Sequence, residues 1–480
     1  MNKSLFSLLE KFTNAEWDRF GEFISSPYFV KGRDYTNLYK FLKLYFQKNN
    51  TQEFIVNAIA KFRNDNKMTT QALSNRLSEL NKLAEKFLIH QNTENDSIGS
   101  ISILYRELIK RELYSNINIT YNNNKDKINI TDASDLIPFS SILQSRGFYF
   151  RSRNDMQETF NQFDNHVDCL NAYSLDRMLY FATEYHLSDV YGIPYKAGLF
   201  LKTFKEINFD KLINRIESEN NEIYKSVRLR YYIYNSLTNP DKNGLADKAE
   251  NYFNMIHENI SIDLKIDYFQ KMQANYILHI NKGEASYLHK VFELFKVRLE
   301  DKDTINFSLA NYPATEFRDF VIVGLRVKEF DWVENFINDY SNQLNPAFRD
   351  EEKTMAIVRL CTERKDFIKA LSIFKNYKNS NNHVHNIDMY KYMIIVNYEM
   401  KYFDEVRKII DKLRHYLLKD GLIDIQKEYT KGFIDNIIRI MKIINKGTGE
   451  GINEFINDIN SNPKSIVDKK WFLEKAEELK

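Results

Sequence analysis

Fourteen glycines and seven prolines in 480 residues are roughly 4% backbone punctuation, against about 12% in average usage. So few breakers leave little room for the turns of an all-β, collagenous or disulfide-scaffolded chain, and an all-α fold is expected. The net charge is +2, from 68 basic and 66 acidic residues, and both signs are interleaved along the length, which argues against a protein recruited to nucleic acid or another polyanion by bulk charge.

The N-terminal region reads as amphipathic helices. Leu5, Leu8, Leu9 and Phe12, then Trp17, Phe20, Phe23 and Ile24, repeat at three- and four-residue spacing, with Thr13 or Asn14 placed to cap the second helix. The pattern breaks at Ser25-Ser26-Pro27 and resumes at about 34–47 and 52–63. A longer helix is expected over 69–90, where Leu73, Leu77, Leu80, Leu83, Ala84, Phe87 and Leu88 form one stripe. Residues 1–115 are thus expected to form a helical domain. From 116 to 154 a polar linker is expected: Asn116 to Lys127 is Asn-rich and aperiodic, and Pro138 follows. Within it, Ile117–Tyr121 and Lys127–Thr131 alternate in a way that would suit a short strand pair.

From 155 to 480 the helices resume and the chain repeats itself. Val327-Lys328-Glu329-Phe330, Arg364-Lys365-Asp366-Phe367 and Met400-Lys401-Tyr402-Phe403 align without gaps, their phenylalanines 37 and 36 residues apart. Each turn is followed three residues on by Val333, Ala370 or Val406 and then by a bulky apolar residue, Ile337, Phe374 or Ile410, which together form one face of an opening helix. Each also follows another apolar helix, so the unit is an antiparallel helix pair. Weaker copies surround Ala249 and Leu288. This pattern resembles tetratricopeptide (TPR) repeats over about 245–415, in a degenerate form in which Val321, Val358 and Ile394 take the small-residue place of the first helix. The resemblance implies an α-solenoid of helix pairs, ending in a capping helix at Lys469–Leu479, with a concave face for a protein or peptide partner. In that register Arg318, Ile322, Met355, Arg359, Lys391, Ile395 and Tyr398 line the face, three cations among apolar neighbours that could receive an acidic or C-terminal peptide. Separately, Thr13-Asn14-Ala15-Glu16-Trp17 with Phe20, Phe23 and Ile24-Ser25-Ser26-Pro27-Tyr28-Phe29 is similar to the start of a set of uncharacterised bacterial helical proteins.

Motifs for chemistry are sparse. Cys169 and Cys361 stand far apart, so neither a disulfide framework nor a cysteine-built metal site is expected, and a reducing, cytoplasmic setting fits. The first residues run into charges without an apolar leader core, and no run of about 18 apolar residues would span a membrane. Gly447-Thr448-Gly449-Glu450-Gly451 lacks the Lys-Ser/Thr of a phosphate loop and follows a helix. His279, His289, His383 and His385 lack metal-ligand spacing, and no nucleophile elbow is present. No cofactor is expected. The expectation is therefore a non-enzymatic scaffold or adaptor. The alternative is a DNA-linked regulator in which 52–90 acts as a helix-turn-helix-like element, with Thr70, Gln71, Ser74, Asn75 and Arg76 offered to base edges and the solenoid as sensor.

Overall fold

The computed structural model describes residues 3–30, 32–48, 55–196, 198–219, 221–301, 304, 312–380, 382–418, 424–446, 451–461 and 469–480. Among these residues the structure is helical, with one isolated bridge between Tyr312 and Leu344 and no strand, so the chain is all-α. Two compact units divide it, Met1–Asn275 and Tyr276–Lys480, a boundary that differs from the one expected at 115–155.

In the first unit, α1 (Lys3–Leu9), α2 (Asn14–Ser25), α3 (Thr36–Gln47), α4 (Ile55–Asp65) and α5 (Thr70–Asn95) gather one core, in which Leu5, Trp17, Phe20, Leu42, Leu80 and Phe87 are buried together. Thr13 caps α2 in a capping box with Glu16, satisfying two backbone N–H groups that the first turn leaves unpaired. Residues 116–154 are not an irregular connector, and no strand pair forms there. Instead α6 (Ser97–Lys110), α7 (Tyr114–Asn124) and α8 (Ala133–Ser152) build a second small core of Ile98, Ile101, Tyr105, Ile117 and Ile142. Asparagines are poor helix formers, so α7 is held by tertiary contact: Ile117 is fully buried, and the Arg146 guanidinium of α8 lies 3.7 Å from the Tyr121 ring centroid. Asp132 and Asp135 form the capping box of α8, and Pro138 lies inside that helix.

The 35-residue α9 (Met156–Val190) follows, then α10 (Leu199–Glu206), α11 (Phe209–Glu219), α12 (Lys225–Thr238), α13 (Leu245–Ile256) and α14 (Ile262–Asn281). Between α9, α12 and α14 a charged centre is buried: Arg230 Nε donates to Asp176 Oδ1 at 2.8 Å and its Nη1 to Asp267 Oδ2 at 2.5 Å. Arg177 also pairs with Asp176, and the Tyr180 ring lies 5.2 Å from the Arg177 guanidinium and 5.0 Å from that of Arg230. Burial pushes the Asp267 carboxyl up despite Arg230 beside it.

The second unit comprises α15 (Tyr287–Glu300), α16 (Ala314–Arg326), α17 (Phe330–Tyr340), α18 (Arg349–Glu363), α19 (Phe367–Phe374), α20 (His383–Glu399), α21 (Phe403–Tyr416), α22 (Asp424–Lys446), α23 (Ile452–Ser461) and α24 (Lys469–Glu477). Helices α16/α17, α18/α19 and α20/α21 are packed pairs joined by one recurring turn. Lys328, Lys365 and Lys401 are left-handed, with φ of 64°, 61° and 61°. In each turn the next N–H reaches back to the carbonyl five residues earlier, Glu329 to Gly324 at 3.0 Å, Asp366 to Cys361 at 2.8 Å and Tyr402 to Asn397 at 2.8 Å, the bonding of a Schellman motif. The same turn occurs in the first unit at Lys67, Glu112 and Asn154. No described helix is long and apolar enough to cross a membrane.

Candidate functional site: a ladder of ion pairs and a basic cleft

The first helices of the three pairs are tied to one another by charge. From α16, Arg318 Nε donates to Glu352 Oε2 of α18 at 2.8 Å, and its terminal nitrogen donates to Oε1. Glu352 is 2% exposed and lies in the first turns of α18, where the helix dipole favours a carboxylate. From α20, His385 places Nε2 at 3.9 Å from Glu352 Oε2. Burial pushes the Glu352 carboxyl up, but the Arg318 hydrogen bonds and His385 outweigh it and hold the group at about 2. A second rung joins α18 to α20: Arg359 donates to Asp388 at 3.2 Å, and Lys391 Nζ stands 3.9 Å from the same carboxylate. Lys391 Nζ also lies 5.9 Å from the Phe433 ring centroid of α22.

These contacts correct the expected binding face. Met355, Ile395, Tyr398 and Lys391 are 1%, 4%, 6% and 8% exposed, so they sit inside the unit and do not line a groove. Tyr398 packs edge-on against Phe403 and Trp471, and burial pushes its hydroxyl up. Ile322 is half-buried, and Arg318 and Arg359 keep partial exposure but are already paired across helices. The physical reason lies in α20, whose buried residues include His385, Asn386, Ile387, Met389, Lys391 and the run Ile394 to Tyr398. A helix covered on nearly all sides has no free face, and its amphipathic period does not show that. The expected small-residue places Val321, Val358 and Ile394 are all buried, and a further close approach occurs one turn on in α16. At Gly324 a Cβ would lie 2.5 Å from Val333 Cγ2 and 3.3 Å from the Trp332 ring, and Cys361 and Asn397 occupy the equivalent place before their turns.

An open feature lies further along, between α21 and α22. A cleft of about 330 Å³ has Ile410, Ile438 and Met441 along its floor, with Arg407, Arg414 and Lys442 at its edges beside Asp411 and Asn445. Residues 407, 410, 411 and 414 share one face of α21, and 438, 441, 442 and 445 one face of α22, each at three- and four-residue spacing. Arg407 pairs with Asp404 at 2.8 Å and Arg414 with Asp411 at 3.9 Å, both exposed pairs of the weak class. Sequence reasoning passed over this cleft. The signal present in the sequence is a basic residue bordering the apolar stripe on each of two neighbouring helices.

Of the other candidates, His279 and His383 resolve into packing, whereas Gln71, Ser74 and Asn75 of the 52–90 element stay exposed. The segment 52–90 falls on α4 and α5, with 52–54 outside the described residues. Its second helix runs on to Asn95, Leu73, Leu77 and Leu80 enter the core, and Thr70 receives a hydrogen bond from Arg63 at 2.9 Å. His383 Nδ1 lies 2.7 Å from the Tyr416 hydroxyl, and the His279 ring stacks on Tyr287 at 4.0 Å. No group of three or more His, Cys, Asp or Glu suited to a metal ion occurs among the described residues. Gly447 to Glu450 lie outside the described residues, and Gly451 has φ of 92°. Comparison of the chain with protein-family models, with curated proteins and with solved structures gives no match.

Proposed function

We propose that this chain is a non-enzymatic adaptor, a degenerate TPR-like array of helix pairs that presents a surface to a protein partner. The observation that carries the reading is the succession of three packed helix pairs, α16/α17, α18/α19 and α20/α21, each joined by the same left-handed turn at a regular spacing, at Lys328, Lys365 and Lys401. Units of this kind bury their apolar faces against their neighbours, which frees their outward positions to vary with a partner. The ion-pair ladder fits the same role, since Arg318–Glu352 and Arg359–Asp388 each tie the first helix of one pair to the first helix of the next. A reducing, cytoplasmic compartment suits the two buried free thiols, Cys169 and Cys361, both pushed up by burial and so poorly reactive.

The test is isolation of the full-length chain from its native host with brief cross-linking, followed by size exclusion. A protein that co-elutes at fixed stoichiometry supports the reading. Elution of the chain alone across growth conditions would overturn it. Nucleic acid in the complex, released as salt rises, would favour the DNA-linked regulator instead.

A further inference from the structure

Resting on the adaptor reading, we propose that the cleft between α21 and α22 is the docking groove for an acidic amphipathic helix of a partner protein. Three observations define the occupant. The floor of Ile410, Ile438 and Met441 is apolar and runs between two helices, the usual seat for the apolar stripe of a third helix. The cleft-lining side chains carry three cations and one carboxylate, and with Asp404 on Arg407 counted as well one cation remains in excess, so the charge presented favours acid. Finally, these cations are available: Lys442 has no ion pair among the described residues, Arg414 meets Asp411 only at 3.9 Å, and Arg407 is held by Asp404, which is 89% exposed. A carboxylate offered by a partner can replace such exposed pairs at little cost.

The spacing specifies the ligand further. Arg407 and Arg414 are seven residues apart, about 10.5 Å along the axis. A partner helix lying along α21 meets both with Asp or Glu at positions i and i+7, and places Leu, Ile or Phe at i+3 and i+4 over Ile410 and Met441. Lys442, on the opposite edge, receives an acidic residue flanking those anchors. Nucleic acid suits the cleft less well, because its lining has no aromatic ring on which a base could stack.

The probe is a displayed library of amphipathic helical peptides, selected on the full-length protein. The expected result is enrichment of acidic residues seven apart around apolar anchors, with affinity that falls as salt rises. The selected peptides should bind Arg407→Glu/Arg414→Glu/Lys442→Glu at least about tenfold more weakly, while circular dichroism shows the helical content unchanged. The variant Met441→Gln, which keeps every charge, should weaken binding while leaving its salt dependence intact. Selection of peptides without acidic enrichment, or equal binding to the triple variant, overturns the proposal, as does competition by duplex DNA. Self-association of the chain that is lost in the triple variant also overturns it, because a second copy is then the occupant. If the native complex forms and survives the charge reversal, this groove fails and the adaptor reading stands. If the peptides bind as expected but no native protein complex forms, the groove is real and the adaptor reading fails.

Discussion

At the scale of single residues, Glu352 and Gly324 carry consequences that depend on sign. The Glu352 carboxyl is held at about 2 against an ordinary 4.5, so its stabilising effect is complete above about pH 4.5 and is lost as pH falls towards 2. For a group this buried the difference amounts to about 3 kcal/mol. Replacing Glu352 with Gln is therefore expected to lower stability at pH 7 by roughly 2–4 kcal/mol, since it strands Arg318. The gap between the two proteins should close as pH falls from 4.5 to 2. Urea melts across that range read it directly, and a pH-independent gap would mean that the ion pair carries none of the stability. At Gly324 two effects oppose each other. Intrinsic propensity favours Ala over Gly in a helix by about 1 kcal/mol, but the new Cβ would lie 2.5 Å from the stiff Val333 side chain. Overpacking of that kind costs typically 1–3 kcal/mol, so Gly324→Ala is expected to lower the melting temperature. A rise would show that α16 and α17 yield at this contact.

At the scale of elements, the turns decide how the helices pair, and they use lysine where glycine is usual. A left-handed lysine costs roughly 1–2 kcal/mol, whereas glycine at the same place loses about 0.5–1 kcal/mol through its freer unfolded chain. Lys365→Gly should therefore be neutral or stabilising by up to about 1 kcal/mol, and Lys365→Val clearly destabilising, because a β-branched side chain suits positive φ worst. Thermal melts of both variants check the order, and equal melting temperatures would deny that the turn is held left-handed in solution. These turns were half legible. The repeated Lys with an aromatic two residues later located them and fixed the 36–37-residue period, although Glu112 and Asn154 use the same geometry without that signature. The Asn-rich α7 was not legible, because what makes it helical is Ile117 against Tyr105 and Arg146 over Tyr121, contacts made by residues distant in sequence.

At the scale of the whole chain, scarcity of Gly and Pro was enough to give the all-α class, because it reflects the number of turns and needs no tertiary knowledge. The division at 275/276 had no such signal, since it falls inside the continuous helix α14. The binding face was illegible for a related reason: burial of Lys391 and Tyr398 depends on α22 and α24, which the repeat pattern does not include. The cores themselves follow the apolar stripes, and this can be tested separately in each unit. Trp17 is 2% exposed among Phe12, Tyr39 and Phe46, while Trp471 packs beside Phe472, a neighbour of Phe433. In a background with the other tryptophans replaced by Phe, Leu80→Ala should lower the urea midpoint read at Trp17. Phe433→Ala should do the same at Trp471. Each removes a fully buried side chain and should cost about 2–5 kcal/mol, with the denaturant slope unchanged because the surface exposed on unfolding is nearly the same. A midpoint that stays put would show that the stripe, although apolar and periodic, does not form the core around that tryptophan.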